Sequence, residues 1–543
     1  IRVTGKVGVP AGATLQFGNG TDAAADVTVN GGFTTTSGGT LKTGACALNV
    51  NFPAGTFELA KDDLGTGRNA IPGNSSPDMQ PVPENGEVVS TDGLAGFTVR
   101  EGAVRLTGAG KDVTTVKNLH WTLVGGKWTN DVADAEMELA NLTFDNANTD
   151  YRRIYVGLRT SGTYRHPTLR VLDGADLKTQ GLLVGSDSGD PRHWYPTFEI
   201  TNATATIGSS LYVGRSGSWH PYCHPTVRIL AGADVYVSGI SMSLGIAIGG
   251  NSDVLVDGGV LRTTTGNAGV LVANTGSGSI RVRNGGALRV TGIMSPDAGS
   301  HTATTNFTVL VDGGTLEILA SGETKLVDPQ KRQVEMGESG GTVCVGDGLS
   351  YAFRFPIKGA GALTKTGAGE LVVGVGSNYN GSASGLVTGQ WTGLTTVVEG
   401  TLTFEETESV ADRTFAVAEG ATLDLGGYTG ALAAVSGAGK VRNATVTGLK
   451  IQAARPDETP VMTELDMTLS GRVTVDFGVP KTEEIARPAE PVPVAKLAPG
   501  MTFNAANWKA KNCGKGNAAT FSCKDGIVYA TFCDSFGLLM IVR

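Results

Sequence analysis

The chain has few charged, aromatic and cysteine residues for its 543 residues. Charged residues make up 17% and aromatic residues 6%, and six cysteines are too few for a disulfide scaffold. The sequence contains no block of like charges, and 43 Lys and Arg residues against 51 Asp and Glu residues give a net charge of -8. We therefore expect no nucleic-acid partner. No apolar run reaches the roughly 18 residues that span a bilayer, so we expect no membrane insertion.

Glycine is abundant, with 79 residues, and a short unit recurs from residue 154 onward. Each unit has an apolar pair that usually ends in Val-Gly, then a polar loop, then an alternating strand closed by a turn. No stretch has the 3.6-residue period of a helix, which excludes helical solenoids. The steps between equivalent turn residues are 29, 29, 26, 27 and 28 residues, for Asp173, Asn202, Ala231, Asp257, Asn284 and Asp312.

A unit of about 28 residues with two or three short strands matches one coil of a right-handed parallel β-helix, so the predicted fold class is all-β. A β-sandwich array is the rival fold, but sandwiches repeat at about 100 residues and form hairpins. Strand alternation places one residue of each unit in a buried column, with Gly, Asn or Asp at the bends. The predicted column contains Val171, Ile200, Ile229, Val256, Val282 and Val311.

The same strand and turn pattern extends toward both ends of the chain. We predict a β-helix over residues 1–450, with an irregular, proline-containing excursion near 62–93. Residues 451–500 are predicted as terminal strands and a Pro-rich connector, which is stiff from Arg487 to Pro499. Residues 501–543 are predicted as a small C-terminal antiparallel module, a meander of four strands that begins at Asn507.

One segment has a specific pattern. It comprises Gly-Ala-Gly-Ala-Leu-Thr-Lys-Thr-Gly-Ala-Gly-Glu-Leu-Val-Val from Gly359, Asn-Tyr-Asn-Gly from Asn378, and Thr-Thr-Val-Val-Glu-Gly-Thr-Leu from Thr395. This segment resembles the passenger-associated transport repeat, or autotransporter-associated β-strand repeat, of bacterial surface β-helix proteins. The resemblance implies a secreted, surface-associated β-helix and no particular chemistry.

The chain departs from that family in two ways. An insert at 382–394 predicts a surface loop where family members have a tight one. The translocator barrel expected of an autotransporter does not follow the meander, so we expect a separate secretion route. Since the chain opens at Ile1 without a leader pattern, we also expect that a signal peptide has been removed. The expected location is extracellular or at the bacterial cell surface.

Polar loops between the half-repeats form the candidate site, because their Pro-Thr pairs recur at 29 and 29 residues and predict a ladder of aromatic and histidine side chains. Such a ladder can seal the edge of the coils, contact a glycan, or use His193, His220 and His224 to bind a metal. Sealing is the favoured interpretation, and we expect neither a metal nor another cofactor. The glycan interpretation uses Trp194, Tyr195, Trp219, Tyr222, Asp187, Arg192 and Arg215.

An enzymatic function is not expected. Asn148-Thr149-Asp150 resembles the first motif of the polygalacturonase family, whose Asp-Asp, Gly-His-Gly and Arg-Ile-Lys motifs have no counterpart at the required places. No catalytic residue is therefore assigned, and a polysaccharide-degrading or carbohydrate-binding protein is the alternative to a structural one. The structural interpretation is an adhesin or a surface coat.

Two further predictions concern the ends. Three cysteines in the last 31 residues predict an oxidised pair, Cys513 with Cys533. Open ends of a β-helix can pair with another chain, so copies are expected to join head to tail as filaments. The predicted contact residues are Ile1, Val3, Val7 and Val9 at one end and Leu538, Met540 and Val542 at the other.

Overall fold

A computed structural model gives the fold as all-β, with long parallel sheets of a β-solenoid. The chain forms two compact units, Ile1–Leu310 and Val311–Arg543, and each is described separately below. The structure describes residues 2–5, 7–9, 14–16, 27–31, 33–35, 40–42, 48–59, 97–99, 102–118, 122–124, 135–146, 153–157, 166–186, 195–215, 224–238, 246–248, 251–263, 270–272, 278–294, 307–324, 332–374, 389–406 and 409–535. The excursion predicted near 62–93 lies outside these residues.

The first unit consists of short strands. In chain order they are β1 (Arg2–Val3), β2 (Val7–Val9), β3 (Thr14–Gln16), β4 (Val27–Val29), β5 (Phe33–Thr35), β6 (Thr40–Lys42), β7 (Leu48–Phe52), β8 (Gly55–Leu59), β9 (Phe97–Val99), β10 (Gly102–Gly108), β11 (Thr114–Asn118), β12 (Thr122–Val124), β13 (Ala135–Ala140), β14 (Thr143–Asn146), β15 (Arg153–Val156), β16 (Thr168–Leu172), β17 (Asp176–Ser186), β18 (Thr197–Ile200), β19 (Thr204–Arg215), β20 (Thr226–Ile229), β21 (Asp234–Val237), β22 (Ile246–Ile248), β23 (Ser252–Asp257), β24 (Val260–Thr263), β25 (Val270–Val272), β26 (Gly278–Arg283), β27 (Ala287–Val290), β28 (Ile293–Met294) and β29 (Phe307–Asp312), which contains the unit boundary.

These strands stack in three parallel columns, so each coil contributes one strand to each side. The first column contains β7, β10, β13, β16, β18, β20, β23 and β26. The second contains β8, β11, β14, β21, β24 and β27, and the third contains β9, β12, β15, β22, β25 and β28. The long strands β17 and β19 belong to both the second and third columns, with a register shift after Thr179. The prediction of a parallel β-solenoid is confirmed.

The predicted buried column is confirmed within the first unit. Its members pair in register from one strand of the first column to the next, and each has 0% exposure. Burial of one such aliphatic side chain contributes about 1.5–3 kcal/mol, so each coil is stabilised mainly by the coils above and below it. The members are Val171, Ile200, Ile229, Val256 and Val282.

The corners that follow the strands of the first column have the backbone conformation that their turn residues predicted. Asp173, Asn202 and Asn284 have φ values of 48°, 46° and 51°, in the left-handed region. Asn and Asp tolerate this region better than other side chains because their short polar groups form local hydrogen bonds. Gly258, with φ of 72°, occupies the equivalent corner of another coil. The corner residues therefore set where each strand of the first column ends.

The second unit continues the same construction with longer strands toward its end. They are β30 (Thr315–Ile318), β31 (Gly322–Glu323), β32 (Arg332–Met336), β33 (Gly341–Val345), β34 (Ser350–Phe353), β35 (Ile357–Lys358), β36 (Leu363–Thr366), β37 (Glu370–Val373), β38 (Thr395–Val397), β39 (Thr401–Phe404), β40 (Thr414–Val417), β41 (Thr422–Ser436), β42 (Lys440–Gln452), β43 (Thr463–Val479), β44 (Val492–Leu497), β45 (Trp508–Cys513), β46 (Asn517–Lys524) and β47 (Ile527–Asp534), with one turn of 3₁₀ helix at Ala505–Asn507.

The end of the insert at 382–394 is part of a coil, whereas the sequence predicted a surface loop. Gln390 donates its backbone N–H to Ile357, and Thr392 donates to Gly359, at 2.8 and 2.9 Å. Trp391 is 1% exposed, and its indole N–H donates to the Thr395 hydroxyl at 2.9 Å. The large apolar ring explains the difference, because exposing it would forgo the free energy of burying it.

The C-terminal part differs from the predicted connector and meander. Parallel pairing continues past residue 450, since β42 pairs with β43 and β43 pairs with both β44 and β45. The strand β44 lies inside the segment predicted as a stiff connector. Among the described strands of this part, β46 and β47 form the one antiparallel hairpin, and β47 adds antiparallel to β44. The first predicted meander strand, β45, is thus a solenoid strand.

Candidate functional site

Three rings of the predicted ladder stack in successive coils of the first unit. The rings of His166 and Tyr195 have centroids 5.1 Å apart and planes 9° apart. Those of Tyr195 and His224 are 5.3 Å and 14° apart. These distances are typical of stacked aromatic pairs, and the sequence spacing correctly predicted that these rings at the loop ends lie above one another.

The Pro-Thr pairs hold the rings in register. Thr197 donates its backbone N–H to Pro167 at 2.8 Å, and Thr226 donates to Pro196 at 2.9 Å. The prolines that follow the rings in sequence, Pro167, Pro196 and Pro225, are buried. Gly157 leaves room for them, because a Cβ there would lie 2.8 Å from the Cβ of Pro196. The stack is therefore fixed by backbone pairing before any ligand is considered.

Two further columns lie beside the rings on the outward face of β16, β18 and β20. The nearer one consists of threonines 168, 197 and 226, which pair in register. The farther one alternates in charge. Glu199 lies 3.7 Å from Arg170 and 3.2 Å from Arg228. Arg170 also contacts Glu136 of β13. This outward face therefore presents the edges of aromatic rings, threonine hydroxyl groups and charges of alternating sign. Each of these features repeats once per coil.

The stacking limits what the rings can bind. Both faces of Tyr195 are covered, one by His166 and the other by His224. A sugar ring cannot stack on a covered face, so this part of the ladder could contact a glycan only through ring edges and the tyrosine hydroxyl. The geometry of the three rings favours the sealing interpretation.

Most of the other predicted ligand residues cannot be placed. Asp187, Arg192, Trp194, Trp219 and Tyr222 lie outside the described residues, as do His193 and His220. Arg215 is the last residue of β19, where its backbone pairs with Ser186. The glycan interpretation therefore stays a prediction for these residues.

The predicted disulfide between Cys513 and Cys533 is wrong in this structure, where both are free thiols. The two residues do lie at one end of the sheet, since Cys533 pairs with Ala518 at the start of β46 and interacts electrostatically with Cys513, but no bond joins their sulfur atoms. Cys513 is buried, and burial raises the pKa of its thiol to about 11. It is therefore protonated and unreactive at neutral pH.

One buried lysine and one group of exposed lysines in the second unit were not predicted from the sequence. Lys365 is 0% exposed, and its ammonium group donates to the carbonyls of Thr366, Gly367 and Glu399 at 2.9, 2.6 and 3.1 Å. In the sequence, the position of Lys365 within a glycine-rich segment was the available signal for this buried site. The exposed group borders an open groove beside β45, where the alternation of Lys509 and Lys511 with apolar residues was the only hint.

The residues that could hold a metal are also limited. Within the described residues, no group of three or more His, Cys, Asp or Glu side chains has the geometry of a metal site. In the same part of the chain, no helix has the length and apolar character needed to cross a membrane.

Comparison with protein-family models and with curated protein sequences finds no match.

Proposed function

We propose that this protein is a secreted bacterial β-solenoid with a structural role in surface adhesion or coating, and that its copies pair end to end as filaments. The observation that carries the proposal is the open first coil. Within the described residues β1 pairs only with β4, β2 only with β5 and β3 only with β6. One edge of each strand can therefore accept a strand from another molecule.

The outward charges support a structural role. Along the first column each carboxylate is held by an arginine, as Glu199 is by Arg170 and Arg228. These ion pairs join each coil to the next, which is a structural role for the charges on this face.

The assembly experiment compares the wild type with a chain that lacks Ile1–Val9. Light scattering and electron microscopy of the wild type should show filaments, and the deletion should give folded monomers by circular dichroism. Val3→Pro, which disturbs only the β1 backbone, should shorten the filaments, whereas Arg2→Ala should not. A monomeric wild type at high concentration, or unchanged filaments after the deletion, would contradict the proposal.

Carbohydrate binding is the second candidate function. The observation that favours it is the alignment of ring edges, hydroxyls and alternating charges on one outward face. Tyr195→Phe keeps the ring stack and removes only the hydroxyl, so it should weaken binding on a glycan array. Tyr236→Phe, whose ring lies under Arg262 on the second column, is the matched control. Equal binding by both variants, or no binding by the wild type, would contradict this candidate.

A further inference from the structure

Two asparagines at corners of the first unit have side chains that the fold does not use. Asn141 and Asn202 have φ values of 52° and 46°, and both are exposed. Neither side chain forms a hydrogen bond or an ion pair within the part of the chain that the structure describes. The backbone alone holds the second corner, since the Asn202 N–H donates to Ala231 at 3.0 Å and its carbonyl accepts from Gly174 at 2.6 Å.

Other asparagines with the same backbone do use their side chains. Asn443 has φ of 60°, and its amide N–H donates to the Asp424 carboxylate at 2.9 Å. Asn284 has φ of 51° and donates in the same way to Asp257 at 2.6 Å. The free amides of the first pair are therefore not a general property of asparagines in the left-handed region.

Glycines on the following coils leave space beside each free amide. A Cβ on Gly174 would lie 3.6 Å from Oδ1 of Asn141, and a Cβ on Gly232 would lie 3.3 Å from Oδ1 of Asn202. Asn141 follows β13 and Asn202 follows β18, with β16 between these two strands. At a strand spacing of about 4.8 Å the two asparagines lie about 10 Å apart. Each amide therefore has room for a substituent of its own.

Each free amide also begins an Asn-X-Thr triplet, Asn141-Leu142-Thr143 and Asn202-Ala203-Thr204. This triplet is the acceptor for N-linked glycosylation, which adds sugars to exposed segments of secreted proteins. The equivalent corner of the coil between them has Asp173, with φ of 48°. The corner therefore forms without an amide, and the fold alone does not explain the choice of asparagine.

We propose that Asn141 and Asn202 are acceptors for N-linked sugars, which a separate transferase adds from a sugar carried on a diphosphate. In this step Nδ2 bonds to the anomeric carbon of the sugar. The bond from that carbon to the diphosphate oxygen breaks, its electron pair leaves with the diphosphate, and one proton leaves the amide nitrogen. The inference goes beyond the proposed structural role and does not depend on the filament contact.

The threonines of the two triplets indicate when the transfer takes place. In the fold the Thr143 hydroxyl donates to the carbonyl of Lys111, and the Thr204 hydroxyl donates to Asp176, both at 2.8 Å. A transferase that recognises Asn-X-Thr reads the threonine as well as the asparagine. The transfer therefore precedes closure of these coils, and the exposed corner then accommodates the sugar.

Mass spectrometry of the protein isolated from the cells that naturally produce it tests the proposal. Proteolytic peptides that contain Asn141 or Asn202 should carry the added mass of a hexose or an N-acetylhexosamine. Fragmentation should locate this mass on the asparagine. Unmodified peptides at both positions would overturn the proposal.

Substitutions in the same cells distinguish enzymatic transfer from chemical glycation. Thr204→Ser keeps an Asn-X-Ser triplet and should keep the sugar on Asn202, whereas Thr204→Val should lose it. Asn202→Asp removes the acceptor, and aspartate suits this corner as it does at Asp173, so circular dichroism should show folded protein. A sugar on Asn202 in the Thr204→Val variant would overturn recognition of the triplet.

The triplet Asn443-Ala444-Thr445 is the matched control, because its asparagine has a similar φ but a bonded amide. A sugar on Nδ2 of Asn443 would occupy the place of the Asp424 carboxylate. Chains modified there should fold less readily and be lost from the folded population. Folded protein should therefore carry no sugar at Asn443, and equal occupancy at Asn443 and Asn202 would overturn the role assigned to the free amides.

Discussion

The coils of the first unit and the last strands of the second unit use the same parallel pairing but have different edges. In the first column, β18 is bonded on both sides, to β16 and β20. At the end of the second unit, β45 is bonded in the described residues only to β43. A repeating sequence pairs both edges of its strands in ladders, whereas β45, which lies outside the repeats, has a ladder on one edge only in the described residues.

The two regions also differ in how they use charge. Outward charges on the regular coils alternate in sign, and Arg170, Glu199 and Arg228 form a line of contacts. Lys481, Lys509 and Lys511, which line a groove beside β45, form no ion pair within the described residues. Paired charges stabilise neighbouring coils, whereas charges of one sign are available to a ligand. The following predictions test this difference, from the largest expected effect to the smallest.

The interior of the regular coils should show the largest effect. Ile229→Ala removes a fully buried side chain from the column and should lower the free energy of unfolding by about 2–5 kcal/mol. Arg228→Ala changes the adjacent, outward residue and should cost about 1 kcal/mol or less. Urea denaturation measures both variants. Similar losses would show that the column is not the main source of stability.

Buried and exposed lysines should behave differently. Lys365→Met leaves three carbonyl groups without their donor and should cost about 1–3 kcal/mol. Lys509→Met, on the exposed edge strand, is the control and should change the free energy of unfolding little. Thermal denaturation of both variants at pH 7 is the measurement. An unchanged melting temperature for the Lys365 variant would contradict the role of its hydrogen bonds.

The pH dependence of the same lysine gives a further test. Burial lowers the pKa of Lys365 from 10.5 to about 8, so between these values the unfolded chain binds more protons than the folded one. The stability of the wild type, relative to Lys365→Met, should therefore rise with pH across this range. Urea denaturation at several pH values measures the difference. A flat or falling difference would contradict the pKa shift.

The ring stack should have an intermediate effect. Tyr195→Ala removes two stacked contacts and should cost about 0.5–1.5 kcal/mol for each, beyond the loss of buried area. Tyr195→Phe keeps both contacts and should be close to the wild type. Chemical denaturation distinguishes these variants. Equal stability of the alanine variant and the wild type would mean that the rings do not seal the coils.

Surface carboxylates should have the smallest effect. A hydrogen bond from Asn284, at 2.6 Å, and the nearby Arg283 lower the pKa of Asp257. Because this pKa is depressed, its contribution to stability is present above about pH 4 and is lost as the pH falls through the folded-state pKa. Asp257→Asn should reduce this loss, by well under about 1 kcal/mol for an exposed group. A larger acid sensitivity in the variant would contradict the assignment.

The sequence predicted the coils well because their information is local. A period of about 28 residues and strand alternation were enough to find the buried column, and Asp173 and Asn202 marked the corners. The Pro-Thr spacing likewise predicted that the rings of His166, Tyr195 and His224 stack. Which face each ring presents depends on the rings of neighbouring coils, so the covered faces of Tyr195 could not be predicted.

Prediction was less accurate where pairing involves segments distant in sequence. Strand patterns near residue 510 were correctly recognised, but their partners were not. The pattern of β45 fits either a hairpin or another coil, and its parallel register with β43 decided between them.

The sequence by itself determined that this protein is a parallel β-solenoid, because each repeat specifies its own strands, corners and inward side chains. Only the tertiary structure decided which strand edges stay open and which charges stay unpaired. Those properties depend on the residues that long-range pairing places next to each edge. The strands β45 and β46 are an example, since they are consecutive in sequence but form their ladders with different strands, β43 and β47.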